Sequence, residues 1–234
     1  MNLLKHTIKW DSILIFKYGI VAVAVAISSI YCVSLLLSKA EGIENIVVVL
    51  IFSDPVMYGF LFTAVMILFE RDSMTNQALA VTPLTTRNYV ASKCIVFTGL
   101  AFICSVAIVL SSNPEIFHPT MFLFAVVLSS VLFVLLGIVG VSFTKNFTQF
   151  ILVIPLVFLP TTLPFLDYFN LVNSWVFYAI PTQACLVLFK GAISNIETWK
   201  LVYAIAYLAV WIYLGYKWAI KSYNKRILKT DRNE

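Results

Sequence analysis

Asp54 stands alone in the run IFSDPVMYGF, one carboxylate among apolar residues. A carboxylate so placed is either a proton- or ion-handling group or a helix cap. The residue that follows favours the cap. Asp54 can satisfy free amides at a helix start, and Pro55 suits the first helical position, where no N–H is needed. The other chemically rich stretch is FERDSMTNQALAVTPLTTRNYVASK, from Phe69 to Lys93, headed by Glu70, Arg71 and Asp72. Little else could react. The four cysteines (Cys32, Cys94, Cys104, Cys185) are single, with no CxxC spacing, and His6 and His118 are far apart. Such spacing predicts buried thiols and no metal site. There is no GxxxxGK[ST], HExxH or GxSxG pattern, so neither a nucleotide loop nor a nucleophile–base pair is expected. The chain is therefore expected to be no enzyme and to bind no cofactor itself.

What must hold these residues is a set of membrane helices. Of 234 residues, 61% are hydrophobic and 12% charged, against about 25% charged in a soluble domain. Runs such as MFLFAVVLSSVLFVLLGIVG do not alternate, which excludes a β-barrel. The expected fold is an all-α integral membrane protein forming one domain over residues 1–234. Six spans are read near Tyr18–Leu37, Asp54–Phe69, Cys94–Ser111, Thr120–Phe143, Phe147–Leu166 and Trp199–Ile220. The second is short. Pro55 to Phe69 covers only about 22 Å, so Asp54 is expected near the outer rim, with Ile46–Phe52 as a separate outer or re-entrant piece.

Lysine and arginine give the orientation. With the N-terminus inside, thirteen basic residues fall on inner segments and three (Lys39, Lys190, Lys200) on outer ones. That imbalance predicts cytoplasmic N- and C-termini in a multi-pass cell-membrane protein. The net charge of +5 then reflects topology and attraction to the inner leaflet, with no nucleic acid implied. Residues 1–17 are moderately amphipathic and predict an interfacial helix, spoiled on its apolar side by Thr7 and Asp11. Gly19, Ala22, Ala26 and Ser29 make a small-residue stripe fit for helix packing, within or between chains.

Residues 167–198 form the longest outer segment. It is too broken by Pro181 to span, and it predicts a re-entrant pair of short helices between helices 5 and 6. Residues 221–234 are a basic tail. On the inner side, residues 70–93 predict a short helix that Thr75 caps and Pro83 ends, with Ala78, Leu79 and Val81 as an apolar edge. Such a helix could plug a groove on a cytoplasmic partner or merely cover lipid headgroups.

The pattern Glu70-Arg71-Asp72, then Ala78-Leu79-Ala80-Val81-Thr82-Pro83-Leu84, Tyr89 and Ser92-Lys93 resembles the inner loop of type-2 ABC transporter permeases. These are the membrane subunits of bacterial exporters. SDP at residues 53–55 and VTPL at 81–84 are similar in particular to drug (fluoroquinolone-type) export permeases. The resemblance implies a permease that pairs with an identical or sister subunit and meets a separate cytoplasmic P-loop ATPase, which carries the ATP and Mg. It assigns ATPase contact to Thr75–Pro83, a charged link to Glu70, Arg71 and Asp72, and a second contact to the turn Lys145–Gln149. It places the substrate path between the second and fifth helices of the two copies, where Tyr58, Phe62 and Phe150 are candidate lining residues. Two other readings stay open: a self-sufficient secondary transporter using Asp54, and a membrane immunity or assembly protein without transport.

Overall fold

The computed structural model describes residues 3–38, 44–73, 85–112, 115, 117–172 and 174–227. Among these every regular element is helical. Helix α1 (Leu3–Lys17) lies at one end of the bundle and packs along the first part of α5. Its inward line is Leu4, Ile8, Asp11 and Ile15, the i, i+4, i+7 spacing of a single helix face. Trp10, Ile13 and Phe16 point away from the protein. The spoiling aspartate of the sequence pattern is thus on the protein side, where Asp11 is 4% exposed. The chain then reverses at Gly19, whose φ of +72° belongs to the left-handed region that costs glycine nothing.

Helix α2 (Ile20–Ser38) packs on α5 through Ala24 and Ser28. The predicted small-residue stripe does not serve that contact, since Ala22, Ala26 and Ser29 are exposed. Helix α3 (Glu44–Ile51) runs through a π-helical turn, Phe52–Val56, into α4 (Tyr58–Asp72). This corrects the expected cap. Asp54 and Pro55 sit inside the wide turn, and the residue preceding α4 is Met57, with helical dihedrals and no side-chain cap. The Met57 amide donates to the Phe52 carbonyl at 3.3 Å, five residues back. Pro55 has no N–H for an i→i−4 bond, and a one-residue widening carries the helix past it. Ile46–Phe52 is accordingly the upstream part of one bent helical run.

Helix α5 (Thr86–Leu110) starts earlier than expected, capped by the Thr85 hydroxyl, which accepts from the Asn88 amide at 3.3 Å. Helix α6 (Pro119–Ser142) is the centre of the molecule. It packs against α4, α5, α9 and α10, and 67% of its apolar window is buried. Gly137 permits the closest approach: a Cβ there would lie 2.5 Å from the Phe60 carbonyl oxygen of α4.

Helix α7 (Phe147–Thr162) contains Pro155 and Pro160 and buries only Phe150 and Thr161, with Phe158 packed on Phe60; its Leu152, Leu156 and Leu159 are 68–74% exposed. Its start is closed by Asn146, which accepts from the Gln149 amide at 2.9 Å, while Gln149 Oε1 accepts from the Lys145 amide at 2.9 Å. That reciprocal pair is a variant of the capping box. A short α8 (Phe165–Tyr168) and a 3₁₀ turn (Trp175–Ala179) lead to α9 (Pro181–Ile193). Helix α9 is too short to cross a bilayer, yet ten of its thirteen residues are buried. Helix α10 (Thr198–Ser222) and a π turn at Tyr223–Ile227 close the described chain.

Among the described residues, five helical stretches are long and apolar enough to cross a membrane: Ile20–Leu37, Thr86–Leu110, Pro119–Ser142, Phe147–Tyr168 and Thr198–Lys225. Helix α4, at fifteen residues, falls short of that length by itself. Exposed Leu, Ile, Val and Trp side chains cover α2, α7 and α10. Such surfaces suit lipid and would be intolerable in water.

Candidate functional site

At the α1 end, three charged side chains from distant parts of the sequence meet in the interior. Lys93 of α5 is 0% exposed, Glu70 of α4 is 1% and Asp11 of α1 is 4%. The Lys93 ammonium donates to Asp11 Oδ1 at 2.9 Å, to Glu70 Oε1, and toward Met66 Sδ at 3.4 Å. Each carboxylate has a second donor. Ser92 Oγ donates to Asp11 Oδ2 at 2.5 Å, and Tyr89 Oη donates to Glu70 Oε2 at 2.5 Å. The helical register builds this arrangement: Tyr89, Ser92 and Lys93 are i, i+3 and i+4 on α5, one face of one turn, and Met66 and Glu70 are i and i+4 on α4.

The physics of such a cluster is unforgiving. Two carboxylates and one ammonium are withdrawn from water, at a desolvation cost of several kcal/mol per ion. Paired and hydrogen-bonded, they hold one geometry; with one partner gone, the remaining charges are stranded. The cluster therefore fixes α1, α4 and α5 to one another.

Arg71, next in the chain, ties α4 to a fourth element. Its guanidinium donates to the Thr144 carbonyl at 2.5 Å and to the Val141 carbonyl at 3.4 Å. These carbonyls lie at the end of α6, where a cation is favoured by the helix dipole, and Val141 also accepts from the Thr144 amide and hydroxyl at 3.1 and 3.0 Å. The C-terminal π turn joins as well. Tyr223 packs on Tyr89 with ring centroids 4.4 Å apart, and Thr86 Oγ1 donates to Asn224 Oδ1 at 2.5 Å. Asp72 and Thr86 thus adjoin one knot of polar contacts, buried at Glu70 and Lys93 and more open at Arg71 and Thr86.

Glu70 and Arg71 of the sequence-derived set lie in this knot, and Asp72 closes α4 beside them. Thr75, Ala78, Leu79, Val81 and Pro83 lie outside the described residues. Asp11 and Lys93 were missed in the sequence as partners. The signal for Asp11 was its place on the apolar side of an amphipathic helix; Lys93 stood in the resemblance motif and in the inner charge count, with no buried partner assigned, whereas it is buried inside α5.

The candidate path residues do not come together within one chain. Tyr58 and Phe62 stack with centroids 4.9 Å apart and line a small crevice with Ala24, Phe97 and Cys104. Phe150 is 0% exposed and packs on Phe60, 5.5 Å between centroids, in the α4–α7 contact. It is a core residue, because Phe60 and Phe62 face different neighbours on α4.

A helical bundle with five stretches able to cross a membrane, its internal charges fastening helices to one another, defines a multi-pass membrane protein. Comparison with known proteins narrows this class. Residues 2–231 match the model of the Fluoroquinolones export permease protein family, and the chain belongs to that family. It is 28% identical over 158 residues to two curated relatives from Mycobacterium tuberculosis. They are the fluoroquinolones export permease proteins Rv2687c of strain H37Rv and MT2761 of strain CDC 1551. The match spans 66% of this chain and 66% of each relative's length. No solved structure matches the chain.

Proposed function

We propose that this chain is the membrane-spanning subunit of an ATP-driven exporter, working as a pair of permeases with a separate cytoplasmic P-loop ATPase. In this reading six spans cross the cell membrane: α2, the bent α3–α4 run, α5, α6, α7 with α8, and α10. Helix α1 lies along the inner interface, α9 is re-entrant from the outside, and both termini are cytoplasmic. Thirteen inner against three outer basic residues support that orientation. The buried length of α9, packed between α6 and α10, supports the re-entrant assignment.

The observation that carries the functional reading is the Asp11–Lys93–Glu70 cluster at the root of the 74–84 segment. A handle pushed by a nucleotide-driven partner moves helices only if it is rigidly fastened to them. Here the two helices flanking the handle share a buried ion cluster, which also grips α1, while Arg71 extends the linkage to α6. ATP and Mg belong to the partner, and the cargo would be of the fluoroquinolone kind named for the relatives.

The test is co-expression with the candidate ATPase, followed by affinity purification and transport in vesicles. Deleting Ala78–Val81 should abolish the complex, or leave ATP hydrolysis running without transport. Full transport by the deleted chain, or by the intact chain with no ATPase present, would refute the reading.

A further inference from the structure

At the opposite end of the bundle from the ion cluster, α8, the 3₁₀ turn, α9 and the start of α10 enclose a cavity of about 220 Å³. Its walls carry Asp167, Asn170, Tyr178, Gln183, Lys190 and Lys200. Gln183 is 4% exposed, and its Nε2 donates to Asp167 Oδ2 at 2.5 Å. That bond fixes the amide orientation, since the reverse would set an oxygen against a carboxylate. Gln183 Oε1 is then a buried acceptor with no hydrogen-bond partner among the described residues. Lys200 lies 3.3 Å from Glu197, a pair open to solvent with Glu197 62% exposed, and Lys190 is exposed. The cavity lining thus includes two cations, Lys190 and Lys200, and an acceptor pair, Asp167 with Gln183.

Its surroundings indicate where such a ligand comes from. Leu171, Val172, Trp175 and Val176, beside the lining residues Asn170 and Tyr178, are 48–85% exposed. Tyr203 and Tyr207 donate to the Tyr178 and Ala179 carbonyls at 2.5 and 2.7 Å, steadying the 3₁₀ turn. An aromatic and apolar rim around a small charged cavity is the arrangement found at the headgroup level of a bilayer.

We propose that this cavity binds the headgroup of an amine-bearing phospholipid of the surrounding leaflet, with the phosphodiester at Lys190 and Lys200 and the ammonium at Asp167 and Gln183. The inference goes beyond the export reading and does not depend on it: a chain that moved no cargo would still hold the lipid. The volume fits a headgroup alone, so the acyl chains lie outside along the apolar rim.

Purified chain in detergent is titrated with dioleoyl phosphatidylethanolamine, dioleoyl phosphatidylglycerol and soluble glycerophosphoethanolamine, and bound species are read by native mass spectrometry. The ethanolamine lipid should bind about tenfold more tightly than the glycerol lipid, the equivalent of one lost charge-assisted contact. Asp167→Asn, which still accepts from Gln183, should erase that preference. Lys190→Gln with Lys200→Gln should weaken both lipids by roughly tenfold or more. Equal binding of the two lipids to the unsubstituted chain overturns the proposal. So does unchanged binding by folded variants, or soluble glycerophosphoethanolamine binding as tightly as the lipid.

Discussion

Replacing Lys93 by Met tests the ion cluster most directly. Met has similar length and reach but no charge, so packing is largely kept while Asp11 and Glu70 lose their common cation. Both carboxylates are at most 4% exposed, and each retains only one neutral donor, Ser92 or Tyr89. Removing one partner of a buried ion pair costs about 3–5 kcal/mol. In a chain of this size each kcal/mol lowers the melting temperature by about 2–4 °C, so a fall of roughly 6–20 °C is expected. Tryptophan-detected melting in detergent reads it. Adding Asp11→Asn and Glu70→Gln to Lys93→Met should recover most of the loss, because the cluster is then neutral throughout. A melting shift of less than about 2 °C in the single variant, or no recovery in the triple, would show that these charges do not fasten the helices.

Three further outcomes follow from the same geometry. Arg71→Gln removes the guanidinium from the Thr144 and Val141 carbonyls and should cost about 1.5–3 kcal/mol, read as a lower melting temperature; an unchanged value contradicts the helix-end role. Gly137→Ala brings a Cβ to 2.5 Å from the Phe60 oxygen and should destabilise by about 1–3 kcal/mol, whereas Gly99→Ala, which meets nothing within 4 Å, should be neutral or better. Gly19→Ala should cost about 1–2 kcal/mol through its positive φ, visible as weaker protection of α1 in hydrogen exchange; protection equal to that of the unsubstituted chain would remove the turn from the account.

Much of the helical layout is legible in the sequence because apolar run length is set by bilayer thickness. The runs beginning near Tyr18, Thr120, Phe147 and Trp199 lie close to α2, α6, α7 and α10. The π turn was not legible: Asp54-Pro55 carries the cap-then-proline signature of a helix start, whereas the chain stays helical through it, with the Met57 amide on the Phe52 carbonyl and Phe52 and Val56 fully buried. Pairings across long separations escaped too. Asp11 and Lys93 are 82 residues apart, and nothing local announces that a lysine near a helix start turns inward. Phe150 looked like a lining residue because an aromatic near a helix start reads the same whether it faces a channel or a neighbour.

The burial of most of α6 gives the molecule an axle. Neighbours press on it from several directions, and Gly137 lets Phe60 touch its backbone, so it has almost no room to tilt. Helix α7, by contrast, leans on the rest through few side chains, Phe150, Phe158 and Thr161, and has two prolines in its second half. In the export reading proposed above, a working stroke would swing the periphery around this axle, with α7 as the blade with the least drag.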